Sequence, residues 1–478
     1  MAAKISLARL PLIAAVVILG VATICAAAVR FTERLPVNPW EAATAVEAMR
    51  FNAGLPLYES GHATHMYGPL STVLLAGIFR VTGFNLLAAR ILSSILAFAL
   101  AIFLATIFCR DKLRGYWLLG LLLFLGINFR TNLMFLSAQP DCLAILVAIG
   151  GLYFWATAKS YADVAISIPL FLGAVLLKQT TAAFALIPIV HILMWKRPLR
   201  AREIALSMLP LMSILLGLIA VRLFWPHVFS AIITIPASIK VYYTRSVGML
   251  VYLLVTFPIF AIALIAAFSS PQPRRDSERW IYSGLAVLVP ASIWMVCKSG
   301  GSYNSLLFAY LAMVALFVTQ LDAIANWLAS LSIQRSLAAT SALALVILLS
   351  FFVQFGQTGS LLFTRCGDDK YNTAVAIARR LGGSVISPQD PTIAYRANGY
   401  FGRALYFELD AHPVDGNWPS RLPNAIEEEV EHADYVIEVR THVPTAVLNH
   451  ALVEAKFHPK SVAELEGSAY TLWAKARD

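Results

Sequence analysis

The chain has 478 residues, of which 59% are hydrophobic and only 13% are charged. Because soluble proteins average roughly 25% charged residues, this composition excludes a string of soluble domains and predicts an integral membrane protein. The net charge is +14 over residues 1–354 and −4 over residues 355–478, which predicts a basic membrane part followed by a mildly acidic part in water. The basic residues lie in short loops between apolar runs, so they indicate membrane topology rather than nucleic-acid binding.

Apolar runs follow one another along the first part of the chain. A helix needs about 20 apolar residues to cross a bilayer. On that criterion we predict eleven spans, near residues 10–29, 85–108, 115–129, 141–158, 162–177, 180–195, 204–224, 248–268, 280–297, 305–320 and 336–355. An odd number of spans places the two ends of the chain on opposite sides of the membrane.

Basic clusters such as Lys196, Arg197, Arg200 and Arg202 lie in the alternate loops that would face the cytoplasm. Clustered Lys and Arg mark cytoplasmic loops. We therefore expect a multi-pass membrane protein with a cytoplasmic N-terminus and an extracytoplasmic C-terminal domain.

The first large outer loop, residues 30–84, contains a helix with strong boundary signals. Asn38 is a good N-cap residue, Pro39 suits the first helical position, and Glu41 stands where a capping box has its acidic member. Gly54 is a typical C-terminal stop. The sequence therefore predicts a helix between Asn38 and Gly54. Two further segments, residues 69–81 and 226–246, predict surface elements that do not cross the membrane.

From about residue 357 the pattern changes to that of a small α/β domain. We predict helices at 371–381 and 423–432 and strands at 384–387, 433–439 and 468–474. The predicted fold is thus an all-α polytopic membrane domain, residues 1–356, followed by a small α/β extracytoplasmic domain, residues 357–478. The chain has no GxGxxG or P-loop pattern, and no Cys/His spacing that indicates a zinc site.

Few acidic residues are placed at the outer face, so each is a candidate for chemistry. Glu41 is either the acidic member of a capping box or a general base, and a helix N-terminus favours its ionised form in both cases. Asp141 begins a predicted span and is either a helix N-terminal residue or a second cavity carboxylate, with Arg130 as a candidate partner. Glu47 and Arg50 are more typical of a solvated pair on a helix.

Isolated basic and polar residues near the outer face are candidates for substrate binding. Lys178 is either a boundary lysine or a phosphate contact. His62 and His65 could ligate a metal, although sugar or phosphate hydrogen bonds suit two histidines better. Tyr303 and Asn304 follow Gly300-Gly301, which is either an ordinary turn or a place where a lipid headgroup approaches the backbone.

Five stretches, in chain order, combine these features: Trp40-Glu41 through Gly54-Leu55-Pro56-Leu57-Tyr58; Tyr67-Gly68-Pro69-Leu70; Ala88-Ala89-Arg90; Gln139-Pro140-Asp141; and Lys298 to Asn304. Over most of residues 1–310 they resemble the GT-C superfamily of membrane glycosyltransferases. The resemblance is to bacterial members of glycosyltransferase family 39, the protein O-mannosyltransferase and lipid A aminoarabinose transferase group. It implies a location in the bacterial inner (plasma) membrane.

The resemblance implies transfer of a sugar, with inversion, from a polyprenyl-phosphate donor to an extracytoplasmic acceptor, which would be an envelope glycan, a lipid or a protein. It implies that Glu41 is the base or binds the acceptor, and that Asp141 is a second catalytic carboxylate. Lys178, with Arg245 or Lys298, would hold the donor phosphate, and the other candidates would bind substrate: Tyr67, His62, His65, Arg130, Tyr303 and Asn304. Many relatives have an Asp-Glu pair where this chain has Trp40-Glu41, which leaves the base and the need for a divalent cation open.

Two non-enzymatic functions compete with this one. A transporter or flippase of a lipid-linked sugar would need polar residues at the bilayer midplane and broken helices, whereas the acidic residues here lie in loops or at span ends. A non-catalytic envelope assembly subunit, binding partners through its C-terminal domain, is the second alternative.

Overall fold

The structure is a computed structural model. It describes residues 2–33, 36, 38–58, 67–109, 114–269, 276–299, 301, 303–353, 370–411, 421–440 and 445–476. The boundary expected near residue 356 lies outside these described residues.

The membrane part is built from helices that pack mainly against their neighbours in sequence, such as α6 on α7 and α14 on α15, while α17 returns to pack on α1. The helices are α1 (Ala2–Thr32), α2 (Pro39–Asn52), α3 (Pro69–Thr82), α4 (Leu86–Cys109), α5 (Arg114–Gly126), α6 (Asp141–Ala156), α7 (Tyr161–Leu177), α8 (Ile187–Trp195), α9 (Ala201–Phe224), α10 (Pro226–Phe229), α11 (Ile235–Ser238), α12 (Arg245–Thr256), α13 (Ile259–Ser269), α14 (Asp276–Val296), α15 (Leu307–Thr319), α16 (Leu321–Ser330) and α17 (Ile333–Phe352).

Over the described residues, each predicted span corresponds to one helix or to two consecutive helices, and these differ in length. Among the described residues, five helices are long and apolar enough to cross a membrane: α1, α4, α9, α14 and α17. Two bent pairs also pass together, α12 with α13 at 84° and residues 304–319 with α16 at 45°. The segments 115–130, 141–156, 161–177 and 179–195 are apolar but shorter.

The predicted first-loop helix is present as α2, and its boundary signals act as expected. The Asn38 side chain accepts a hydrogen bond from the Glu41 backbone N–H at 2.8 Å, and Pro39 is the first helical residue. Gly54 follows the helix with a φ of +81°, a conformation in which glycine carries no steric penalty. The segment 69–81 forms α3, and the segment 226–246 forms α10, α11 and a π-helical turn between them.

The C-terminal part is a small α/β unit whose four-stranded sheet has the order β1-β2-β4-β3. The strands are β1 (Val385–Ile386), β2 (Tyr435–Val439), β3 (Phe457–Lys460) and β4 (Tyr470–Lys475). β1 runs parallel to β2, and the other pairs are antiparallel. The helices are Lys370–Arg380, Pro391–Asn398, Leu405–Ala411, Asn424–His432 and Thr445–Glu454. The predicted fold class is confirmed, whereas β3 and three of these helices were not predicted.

The two parts meet at α2. Helices Pro391–Asn398 and Leu405–Ala411 of the C-terminal part pack on it. Trp40 lies against Tyr406 with ring centroids 4.9 Å apart, and Ala43, Ala404 and Phe407 form a small buried apolar cluster beside it. The first-loop helix is therefore held between the membrane helices and the C-terminal domain.

Candidate active site

A cavity of about 810 Å³ opens at the end of the membrane part that contacts the C-terminal domain. This volume lies within the range of small-molecule sites, about 300–1,000 Å³. Its wall is mostly apolar, with a few amides and hydroxyls, two lysines and, among the described residues, a single carboxylate. The polar lining residues are Asn38, Tyr67, Asn132, Gln139, Asp141, Lys178, Gln179, Thr180, Lys298, Ser299, Asn304 and Ser305.

A buried ion pair lies in the cavity wall. Asp141 is the first residue of α6 and Lys178 follows the last residue of α7, so the packing of these two helices brings them together. The Lys178 Nζ donates to Asp141 Oδ1 at 2.5 Å. Asp141 Oδ2 is buried and has no hydrogen-bond partner among the described residues. One carboxylate oxygen is thus neutralised, and the other is available to a ligand in the cavity.

Tyr67, a residue of the first loop, lies next to Lys178. The Lys178 ammonium lies 5.0 Å from the centre of the Tyr67 ring, within range of a cation–π interaction. The Tyr58 hydroxyl donates to the Tyr67 carbonyl at 2.5 Å and fixes the backbone there. Burial lowers the pKa of Lys178, whereas the neighbouring Asp141 and Tyr67 raise it. The net result is a pKa above the ordinary value of a lysine. Lys178 therefore remains a cation at neutral pH.

Lys298 is the second cation of the cavity wall. Residues 240–242 and 297–299 pair through their backbones, with Val241 opposite Lys298. The Lys298 ammonium donates to the Pro236 carbonyl at 2.7 Å and lies 4.2 Å from the centre of the Trp294 ring. Burial lowers its pKa. Among the described residues, no carboxylate forms an ion pair with Lys298, so its charge is available to an anionic ligand.

Glu41 does not line the cavity. Its side chain is fully buried, and Arg90 of α4 donates to both carboxylate oxygens, at 3.0 and 2.7 Å. The Ala138 backbone N–H adds a third hydrogen bond at 2.8 Å. The same guanidinium donates to the Arg30 and Glu33 carbonyls. The carboxylate expected to be the base therefore ties α2, α4 and the end of α1 together.

Arg130 is also placed away from the cavity and does not pair with Asp141. Its guanidinium donates to the Thr256 hydroxyl at 2.7 Å and to the Tyr310 hydroxyl at 3.0 Å, and it lies over the Tyr252 ring. Arg130 thus joins α12 to α15 near the sharp bend between α12 and α13. Its role in substrate binding, expected from the sequence, has no support in this geometry.

The remaining candidates divide between the cavity wall and the segments outside the described residues. Asn304 lines the cavity, and its side-chain amide contacts the Met134 sulfur at 3.9 Å. Tyr303 begins a short 3₁₀ helix, and its side chain lies outside the description. His62 and His65 also lie outside the described residues. Within the described ranges, no group of three or more His, Cys, Asp or Glu side chains could hold a metal ion.

Two comparisons returned no match, one with protein-family models and one with curated protein sequences. Comparison with solved structures returned ArnT from Cupriavidus metallidurans bound to undecaprenyl phosphate, with a TM-score of 0.53 and 14% identity, covering 96% of this chain and 98% of that one. The apo form of that protein aligns over the same shares with a TM-score of 0.51. The chain has the fold of ArnT. The resemblance drawn from the sequence is matched here by a likeness of fold.

An apolar groove of about 460 Å³ continues the cavity in this ArnT-like fold. It runs between α8 and α14, and Leu186, Ala291 and Trp294 line both the groove and the cavity. The groove wall consists of apolar side chains: Leu186, Ile189, Val190, Ala286, Val287, Pro290, Ala291 and Trp294. A ligand with an apolar chain and a polar head could thus occupy both spaces at once.

Sequence reasoning missed residues in and around this ArnT-like site. The role of Arg90 as the partner of Glu41 was missed, although a charged residue inside an apolar span needs a partner. Thr180 lines the cavity with a buried hydroxyl that has no partner among the described residues. Phe407 reaches the cavity from the C-terminal domain, and no sequence signal links it to a membrane site.

Proposed function

We propose that the protein is a membrane glycosyltransferase that moves a sugar from a polyprenyl-phosphate donor to an acceptor outside the cytoplasm. The observation that supports this most directly is the combination of one carboxylate with a free oxygen, two lysines and an adjoining apolar groove. The acceptor would be an envelope glycan, a lipid or a protein. The site would face the outer side of the inner membrane, as the distribution of basic loops predicts.

The donor would lie across the groove and the cavity. Its prenyl chain would fill the apolar space between α8 and α14, because that surface gains free energy when it is covered by an apolar chain. Its phosphate would lie at the cavity end, near Lys298 and Lys178, with the Thr180 hydroxyl as a further donor. The solved structure of ArnT contains undecaprenyl phosphate, which supports this class of donor.

The chemical step needs a base and a stabilised leaving group. The acceptor oxygen would attack the anomeric carbon while the bond from that carbon to the phosphate oxygen breaks, and the bonding electrons would leave on the polyprenyl phosphate. Asp141 Oδ2 would take the acceptor proton, and the lysines would stabilise the charge that develops on the phosphate. Direct displacement inverts the anomeric configuration. Asp141 takes the role of base here because Glu41 is enclosed by Arg90.

The test is transfer from radiolabelled polyprenyl-phosphate sugars, measured in membranes that contain wild type or Asp141→Asn. We expect wild type to transfer label from at least one donor, and the variant to lose transfer by about 100-fold or more, the usual contribution of a general base. Asp322→Asn, an acidic residue at the start of α16 and outside the cavity, is the matched control and should transfer normally.

Two results would contradict this function. Label transfer by Asp141→Asn at the wild-type rate would remove Asp141 as the base. Movement of the intact lipid-linked sugar across the bilayer, with no new glycosidic bond, would instead support the transporter alternative.

A further inference from the structure

Two of the buried oxygen atoms in the cavity wall that lack hydrogen-bond partners among the described residues lie in one short segment. They are Gln139 Oε1 and Asp141 Oδ2, two residues apart in Gln139-Pro140-Asp141. Gln139 is 7% exposed and Asp141 is 3% exposed, and both line the cavity. A buried acceptor without a donor costs free energy, so each oxygen is a place where a ligand can contribute a donor.

The orientation of the Gln139 amide follows from its neighbours. Asn38 Oδ1 accepts the Glu41 backbone N–H at 2.8 Å, which identifies that atom as the oxygen. Gln139 Nε2 then donates to the same Asn38 oxygen at 3.4 Å. If the Gln139 amide were flipped, its oxygen would face Asn38 Oδ1 and no hydrogen bond could form. The atom of Gln139 without a partner among the described residues is therefore its oxygen, Oε1, which is an acceptor.

The chemistry of these atoms distinguishes between classes of ligand. An ionised phosphate or carboxylate has acceptors only, whereas a hydroxyl group donates as well. Two acceptor oxygens from one short segment of the cavity wall therefore fit a ligand with hydroxyl groups. This differs from the region of Lys178 and Lys298, where cations and the Thr180 hydroxyl provide donors and fit a phosphate.

Two aromatic side chains line the cavity on the side of the C-terminal domain. Trp40 belongs to α2, and Phe407 belongs to helix Leu405–Ala411. The C–H groups on one face of a sugar ring pack well on aromatic side chains, and ligand pockets commonly combine such walls with a few polar groups.

We propose that Gln139, Trp40 and Phe407 form the acceptor subsite, and that it takes a carbohydrate acceptor, with one hydroxyl on Gln139 Oε1 and the reacting hydroxyl on Asp141 Oδ2. The C-terminal domain completes this subsite through Phe407. The inference rests on the proposed function, because it uses Asp141 as the base.

The test is binding of simple glycosides to the full-length protein in lipid nanodiscs, measured by saturation-transfer NMR in the presence of undecaprenyl phosphate. The probes are the methyl glycosides of glucose, mannose, galactose and arabinose, with methyl phosphate as a probe that has acceptors only. We expect at least one glycoside to bind wild type, methyl phosphate not to displace it, and Gln139→Ala to weaken it by about tenfold, the effect of losing one hydrogen bond.

Two matched controls separate this subsite from a general loss of structure. Gln320→Ala removes another buried glutamine, whose Nε2 also lacks a partner among the described residues, outside the cavity wall, and should bind the glycoside normally. Phe407→Leu should weaken glycoside binding by about fivefold. Phe457→Leu, in the core of the C-terminal domain, should bind the glycoside as wild type does.

The acceptor subsite is overturned if no glycoside binds wild type, if Gln139→Ala binds it normally, or if methyl phosphate displaces it. Failure of the proposed function would look different, because transfer of label from every polyprenyl-phosphate donor would then be absent in wild type. If wild type transfers label and Gln139→Ala binds the glycoside as tightly as wild type, the acceptor subsite is rejected and the proposed function stands.

Discussion

Two buried carboxylates of the membrane part have different partners, and the partners indicate different roles. Among the described residues, Glu41 accepts two hydrogen bonds from Arg90 and one from the Ala138 backbone N–H, and neither charged side chain is exposed. Asp141 has one neutralised and one free oxygen. Removing one partner of a buried pair leaves an uncompensated charge, which costs far more than breaking an exposed pair. Glu41 is therefore expected to act on stability and Asp141 on catalysis.

Glu41→Gln tests the stabilising role. It removes the negative charge that compensates Arg90, so we expect the purified protein to lose about 3 kcal/mol of stability, seen as a lower melting temperature. The matched control is Asp276→Asn, which breaks an exposed ion pair with Arg279 at 3.2 Å and should cost less than about 1 kcal/mol. A Glu41→Gln variant that melts like wild type would contradict this role.

Lys178→Ala tests the donor phosphate contact. A charge-assisted contact to phosphate is lost, so we expect binding of undecaprenyl phosphate to weaken by about tenfold or more. Acceptor binding should change much less. Lys159→Ala, between α6 and α7 at the other end of these helices, is the control. Unchanged affinity for undecaprenyl phosphate would remove Lys178 from the donor site.

At the level of elements, α3 and α7 approach each other closely at Gly68. A β-carbon at this position would lie 1.9 Å from the Leu176 carbonyl oxygen, so no larger residue fits without a shift of one backbone. Gly68 lies next to Tyr67, and Leu176 lies two residues before Lys178. The close contact therefore helps to hold the Tyr67 ring near the Lys178 ammonium, 5.0 Å from the ring centre.

Gly68→Ala should consequently disturb the donor site, although Gly68 itself does not line the cavity. We expect lower affinity for undecaprenyl phosphate and a lower melting temperature, because α3 must move away from α7. Gly77→Ala in the same helix has open space around its β-carbon and should be neutral or stabilising by up to about 1 kcal/mol. Equal behaviour of the two variants would show that the close approach does not matter.

Signals carried by adjacent residues predicted most helices and strands. They did not predict contacts between residues that are far apart in the sequence. Asn38, Pro39 and Gly54 bounded α2 correctly because a cap is a property of adjacent residues. β3 was missed because it is short and contains Pro459, which cannot donate in a sheet ladder. The pairing of Glu41 with Arg90 joins residues 49 positions apart. The sequence left Glu41 as either a capping-box residue or a general base. The contact of α2 with α4 through this pair was needed to distinguish between these two roles.

At the level of the whole molecule, the distribution of basic residues predicts which side each loop faces. Ser160, between α6 and α7, should be cytoplasmic, and Glu466 of the C-terminal domain should be outside. The five natural cysteines would be replaced by alanine, and single cysteines introduced at these two positions. A membrane-impermeant maleimide should label only the cysteine at position 466 in spheroplasts. Labelling of position 160 alone would reverse the proposed orientation.

The most direct test of the account is a single turnover with donor already bound. Wild type, Asp141→Asn and Glu41→Gln would be loaded with a radiolabelled undecaprenyl-phosphate sugar and mixed with envelope membranes, and label transfer would be measured per folded molecule. We expect wild type and folded Glu41→Gln to transfer at similar rates, while Asp141→Asn holds donor but transfers about 100-fold more slowly. Normal transfer by Asp141→Asn, together with a Glu41→Gln variant that holds donor without consuming it, would contradict the role of Asp141 as the base.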